Sequence, residues 1–256
     1  MVSECIMQTH HTLSGKVALI TGAAHRIGAT IARCLHSQGM NVIVHYRSSK
    51  DAAEQLQSEL LAQRPNSAYL IQGDLHDTAT LRNLVKESCQ WQSRLDVLIN
   101  NASSFYPTPV AEVNEAQWDD LLCSNLKAPF FLAQAASSYL RQCHGCIVNI
   151  ADIHAERPLK GYSVYNIAKA GLVMLTKSLA RELAPEIRVN AVAPGAILWP
   201  EHGASEQTRK HIIADTALKR QGNPHDVSRA IVFLIRDAEY MTGQVLTVDG
   251  GRSLSN

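Results

Sequence analysis

Tyr165 and Lys169 lie four residues apart in the stretch Tyr165-Asn166-Ile167-Ala168-Lys169, with Asp152 a short way upstream. Helical spacing puts both side chains on one face, so a phenol and an ammonium can meet over one site. A tyrosine hydroxyl, with an ordinary pKa of about 10, is a poor acid or base near neutral pH. A neighbouring ammonium favours phenolate and draws that value towards the range acid–base catalysis uses. Asp152 follows the apolar run at residues 146–151. A carboxyl at a strand end can cap a loop N–H, or donate a proton if burial lifts its pKa. Asn125 stands among apolar residues (Leu121, Leu122, Leu132), where a buried amide needs partners; it is either a structural tie or a member of a proton relay.

These groups require a scaffold that gathers distant parts of the chain. Residues 16–20 form a short apolar run ending in Thr21-Gly22-Ala23-Ala24-His25-Arg26-Ile27-Gly28, and a helical pattern with Ile31 and Leu35 on one face follows. Strand, glycine turn and helix start together cradle a pyrophosphate, because backbone N–H groups and the positive helix end attract it and glycine lets it approach. A second strand at 41–46 ends in Arg47-Ser48-Ser49-Lys50. An NAD enzyme places a carboxylate there for the ribose hydroxyls, whereas a guanidinium and hydroxyls suit a 2′-phosphate, so the expected cofactor is NADPH/NADP+.

The alternation continues. A helix at 51–63, with Ala52, Leu56, Leu60 and Leu61 as its buried face, precedes a strand at 68–72 closed by Gly73-Asp74-Leu75. A helix at 80–91 leads to a strand at 95–99 and then to Asn100-Asn101-Ala102-Ser103. Helical spacing holds through 115–140, with Pro129 bending or interrupting it. Strands at 188–193 and 245–248 end in Pro194-Gly195 and Asp249-Gly250-Gly251, with a helix at 226–235 between them. Residues 196–208 are mixed and polar, read as an irregular lid. The pattern predicts an α/β fold: one Rossmann-like, doubly wound parallel sheet with helices on both faces, ligands sitting at the carboxyl ends of its strands. One domain over 1–256 is expected, residues 1–14 being a flexible N-terminal extension. The loop Ser103-Ser104-Phe105-Tyr106-Pro107-Thr108-Pro109 carries two aromatic residues. Tyr106 reads as a cap on the core, and Phe105 as a flat face for a planar heterocycle.

Composition narrows the field. Twenty-four basic against 23 acidic residues leave a net charge of +1, which gives nucleic acid or a membrane surface no electrostatic hold. No apolar run reaches membrane length and residues 1–14 lack signal-peptide character, so the expected setting is the cytoplasm. Cys143 and Cys146 form a C-x-x-C that reads as a turn before a strand, with no second ligand pair, so no metal is expected.

Thr21-Gly22 with Gly28, Asn100-Asn101-Ala102, Asn125, Tyr165 with Lys169, Pro194-Gly195 and Asp249-Gly250-Gly251 occur in the order found in the short-chain dehydrogenases/reductases, which the chain resembles over nearly its whole length. Three departures resemble the pteridine reductase subgroup. Arg26 replaces the middle glycine of the loop, Ser103 replaces a glycine after the fourth strand, and Asp152 replaces the serine thirteen residues before the tyrosine. The resemblance implies a homotetramer that reduces a dihydropterin, an oxidised pterin or a folate with NADPH. It implies Asp152, Tyr165, Lys169 and Asn125 as catalytic residues, Lys169 also holding the nicotinamide ribose. Implied cofactor contacts are Gly22, Arg26, Ile27, Gly28, Tyr46, Arg47, Ser48, Asp74, Leu75, Asn101, Ala102, Ser103, Tyr165, Lys169, Pro194 and Gly195, with the 2′-phosphate on Arg47 or Ser48. Implied substrate contacts are Arg26, Ser103, Phe105, Asp152, Tyr162 and Tyr165, the pterin lying between Phe105 and the nicotinamide. The alternative is a carbonyl reductase acting on 3-oxoacyl chains of a carrier protein, for which a serine in place of Asp152 would be expected.

Overall fold

The computed structural model describes residues 12–199 and 205–254. Strands β1 (Val17–Ile20), β2 (Asn41–Tyr46), β3 (Ala68–Gln72), β4 (Val97–Asn100), β5 (Cys146–Ile150), β6 (Arg188–Pro194) and β7 (Val245–Val248) form one sheet in the order β3-β2-β1-β4-β5-β6-β7. Every strand pair is parallel. The order reverses between β1 and β4, so the connections that leave their carboxyl ends diverge and open a crevice there.

Helices α1 (Arg26–Ser37), α2 (Lys50–Gln63) and α8 (Pro224–Arg236) cover one face; α3 (Thr78–Gln92), α5 (Ala128–Gln142) and α6 (Ser163–Leu183) cover the other. Successive strand residues point to opposite faces. Ala18 and Ile20 therefore pack with Leu35, Leu56 and Ile231, while Val17 and Leu19 pack with Leu84, Leu132 and Leu172. Burial on both faces explains why the strands read as unbroken apolar runs.

Pro129 lies just past a π-helical turn in a helical run unbroken from 115 to 142, so the wider turn accommodates its missing N–H. That run comprises α4 (Glu115–Leu122), the π-helical turn at Cys123–Lys127 that carries Asn125, and α5. The irregular segment expected over 196–208 is shorter than that: helix α7 (Glu206–Asp215) begins within it, capped by Ser205, while residues 200–204 lie outside the described residues. Of the expected N-terminal extension, residues 1–11 also lie outside them. Leu13 is buried in the core, so packing begins before the expected boundary. No described helix is long and apolar enough to cross a membrane.

Candidate active site

At the crevice the turns after β1 and β4 are joined through Thr21 and Asn101. Thr21 Oγ1 accepts from the Asn101 and Ala102 amides at 2.9 and 3.0 Å, and Asn101 Nδ2 donates to the Thr21 and Gly22 carbonyls at 2.8 and 3.1 Å. Two glycines permit this closeness. Gly22 has φ +61°, and a Cβ on Gly28 would stand 2.4 Å from the Gly22 carbonyl oxygen. Arg26 opens α1 at φ +53°, a left-handed conformation that favours glycine, and donates to the Trp199 carbonyl at 3.1 Å across the crevice.

The residues expected around a dinucleotide all lie at this end of the sheet. Gly22, Arg26, Ile27 and Gly28 follow β1; Tyr46, Arg47 and Ser48 end or follow β2; Asp74 and Leu75 follow β3; Asn101, Ala102 and Ser103 follow β4; Pro194 and Gly195 end or follow β6. Helices α1 and α2, like α6, begin without a side-chain cap, whereas Asp77, Asn114, Ser205 and Asn223 cap α3, α4, α7 and α8. The first turn of α1 has no acidic residue, and Arg47 and Ser48 are exposed just before α2. Uncapped N–H groups of this kind suit phosphate oxygens.

One residue that sequence reasoning passed over supports this cradle. His45 on β2 is 2 % exposed; its Nδ1 accepts from the Gly22 amide and its Nε2 donates to the Gly73 carbonyl, both at 3.1 Å. Burial lowers its pKa to about 4, so it stays neutral and keeps the acceptor that holds Gly22. A histidine inside the run Val42-Ile43-Val44 was the available signal, since a polar group in a buried strand needs partners.

Helix α6 presents Tyr165 and Lys169 towards Asp152, which follows β5. The Tyr165 hydroxyl donates to Asp152 Oδ2 at 2.8 Å, and Asp152 Oδ1 accepts from the His154 amide at 2.8 Å. Asp152 thus both caps a short turn and engages the phenol, and it is half-buried. Lys169 is buried, donates to the Ile150 carbonyl at 2.8 Å and sits 5.6 Å from the Tyr165 ring centroid. Burial brings its pKa down to about 8.

The expected lowering of the Tyr165 pKa is reversed. Burial, then the charge of Asp152 and its hydrogen bond, push it well above 10, opposed by the Ser103 hydroxyl. Desolvation and an adjacent carboxylate outweigh the Ser103 hydroxyl, and Tyr165 keeps its proton. Asn125 ties the loop after β4 to the π-helical turn. Its Oδ1 accepts from Ser103 Oγ at 2.7 Å, and its Nδ2 donates to the Ser104 and Leu121 carbonyls, both at 3.0 Å. It holds the loop after β4, and its side-chain bonds go to that loop and its own helix rather than to Lys169 or Tyr165.

That loop delivers the aromatic residue. Phe105 stacks on Tyr162 with centroids 4.7 Å apart and planes at 16°, and meets Tyr165 edge-on at 4.8 Å and 77°. At 40 % exposure Phe105 keeps apolar surface open beside the Tyr165–Asp152 pair. Tyr106 packs beside Leu121 and Val164, as a core cap does.

Residues 22–253 match the family model described as enoyl-(acyl carrier protein) reductase. Pteridine reductase 1 of Leishmania tarentolae is 36 % identical, the match covering 93 % of this chain and 96 % of that protein. The 3-oxoacyl-[acyl-carrier-protein] reductase FabG of Staphylococcus aureus is 38 % identical, over 92 % of this chain and 97 % of that protein. A blue fluorescent protein from a metagenomic library, solved in complex with NADPH, superposes with a TM-score of 0.88 at 35 % identity, covering 94 % of this chain and 99 % of that one. With a family model matched over most of its length and relatives of this identity, the chain belongs to the short-chain dehydrogenase/reductase family of oxidoreductases.

Proposed function

We propose that the protein is a pterin reductase that uses NADPH to take a dihydropterin to its tetrahydro form. The cofactor assignment has the support of the NADPH-bound structural relative and of the cradle described above. The observation that carries the substrate assignment is a carboxylate, Asp152, accepting from the Tyr165 hydroxyl at 2.8 Å beside the half-open Phe105 ring. A carbonyl oxygen needs only hydroxyl donors. A pterin C=N bond instead needs a proton delivered to a ring nitrogen, and offers a planar ring to stack.

When bound, NADPH would supply the hydride that the carbon of the C=N bond takes up. The start of α1 would hold the pyrophosphate, Arg47 and Ser48 the 2′-phosphate, and Asp74 with Leu75 the adenine, since β3 pairs with β2. Phe105, backed by Tyr162, presents the face on which the pterin lies, and Ser103 and Arg26 reach its polar edge. The proton held between Tyr165 Oη and Asp152 Oδ2 goes to the nitrogen, which completes the CH–NH product. Lys169, an acid poised near pH 8 within the same buried wall, orients the ribose. A homotetramer is part of the proposal; exposed Phe130 on α5 and Ile167 and Met174 on α6 offer apolar surface to partner copies.

The identity of the FabG relative favours a second reading, reduction of a 3-oxoacyl thioester. NADPH consumption with biopterin, dihydrobiopterin, dihydromonapterin, dihydrofolate and an acetoacetyl thioester, measured side by side, separates the two. The proposal expects turnover of at least one dihydropterin and none of the thioester. Turnover of the thioester alone would replace it with the second reading.

A further inference from the structure

His76, in the turn after β3, faces a carboxylate with each ring nitrogen. Nδ1 is 2.8 Å from Asp74 Oδ1 and Nε2 is 2.9 Å from Asp120 Oδ1, on α4. Both ring nitrogens are thus within hydrogen-bond distance of a carboxylate oxygen, and the ring bridges the two side chains. The His76 amide adds a bond to Asp74 Oδ1 at 3.0 Å. On the far side, Asp120 Oδ2 accepts from the Tyr106 hydroxyl at 2.7 Å. Burial and Asp120 push that phenol up to about 12, so it remains a donor.

The chain Asp74–His76–Asp120–Tyr106 is therefore continuous from the turn after β3 to the loop after β4, ending one residue from Phe105. Separate ties hold the loop on either side of Tyr106. Ser103 and Ser104 are bound by Asn125, and the Thr108 amide donates to the Gly161 carbonyl at 2.6 Å. Tyr106 is the tie between them, and its partner Asp120 is shared with His76. The Asp74, His76 and Asp120 side chains are 55, 33 and 33 % exposed, so hydrogen bonds rather than close packing set their positions.

We propose that His76 is a positioning residue that couples occupation of the adenine subsite to the placement of Phe105. The inference rests on Asp74 belonging to that subsite, as argued above. An adenine amino group held by Asp74 restrains the carboxylate that His76 grips; His76 restrains Asp120, and Asp120 restrains Tyr106. Ordering at one end of such a chain lowers the cost of ordering the other.

Adenosine 2′,5′-bisphosphate, which carries the adenine and the 2′-phosphate without the nicotinamide, tests this in the full-length protein. Its binding is measured by calorimetry, and hydrogen exchange is followed in the peptide covering residues 103–108. In the wild type the bisphosphate should slow that exchange at least about fivefold, the lower end of ordinary coupling strengths. In His76→Asn and Tyr106→Phe it should still bind but leave exchange in that peptide unchanged. Equal slowing in wild type and variants, or none in a wild type with bisphosphate bound, would overturn the coupling. Failure of the wild type to bind the bisphosphate would overturn the adenine placement, and the proposal with it. Tyr106→Phe removes a single hydroxyl, so the test stands even if His76→Asn does not fold.

Discussion

Replacing His45 by glutamine should change how stability depends on pH, not merely lower it. In the folded chain burial depresses the imidazole from 6.5 to about 4. In the unfolded chain it titrates at its ordinary value. Between these two values the unfolded chain binds a proton that the folded chain refuses, so stability rises with pH across the window and is complete above 6.5. The displacement corresponds to about 3 kcal/mol lost on going from neutral pH to pH 4. Urea unfolding of wild type and His45→Gln, measured over that range, isolates the effect, because the other groups titrate in both proteins. The variant should be less stable at neutral pH, having lost the bonds to Gly22 and Gly73. Its deficit should shrink by about 3 kcal/mol as the pH falls to 4. A deficit constant across the window would refute the argument that a neutral, buried His45 holds the cofactor loop.

Arg47→Ala should raise KM for NADPH at least about tenfold, the worth of a charge-assisted bond, while leaving KM for NADH unchanged; equal effects would remove the 2′-phosphate from this turn. Because burial lowers Lys169 to about 8, its ammonium is lost as pH rises through that value, and kcat/KM should fall there. A falling limb near the ordinary 10.5 would contradict the burial argument. Phe105→Ala should raise KM for dihydrobiopterin about fivefold, matching the loss of one ring contact, with KM for NADPH unaltered. An unaltered KM for dihydrobiopterin would take Phe105 out of the substrate site.

Much of this was legible in the residues because parallel strands buried on both faces leave unmistakable apolar runs, and the glycine, Asn-Asn and Pro-Gly turns punctuate their carboxyl ends. Helix α7 was not legible because it buries none of its residues, so no apolar stripe marks it. Pro129 announced an interruption, but not that a π-helical turn would place Asn125 against Ser103 and Ser104. Spacing brought Tyr165 and Lys169 together, yet the sign of the effect on Tyr165 depended on burial and on the 2.8 Å approach of Asp152, which spacing does not contain. The chain through His76 joins residues from three separate turns and helices, and no local pattern links them.

The central claim is that Asp152 makes this a pterin site rather than a carbonyl site. It is tested most directly by the ratio of kcat/KM for dihydrobiopterin to that for an acetoacetyl thioester, in the wild type and in Asp152→Ser. The ratio should favour the pterin in the wild type and fall at least about a hundredfold in the variant, the usual worth of a positioned general acid. A ratio that favours the thioester in the wild type, or one that the substitution leaves unchanged, would contradict it.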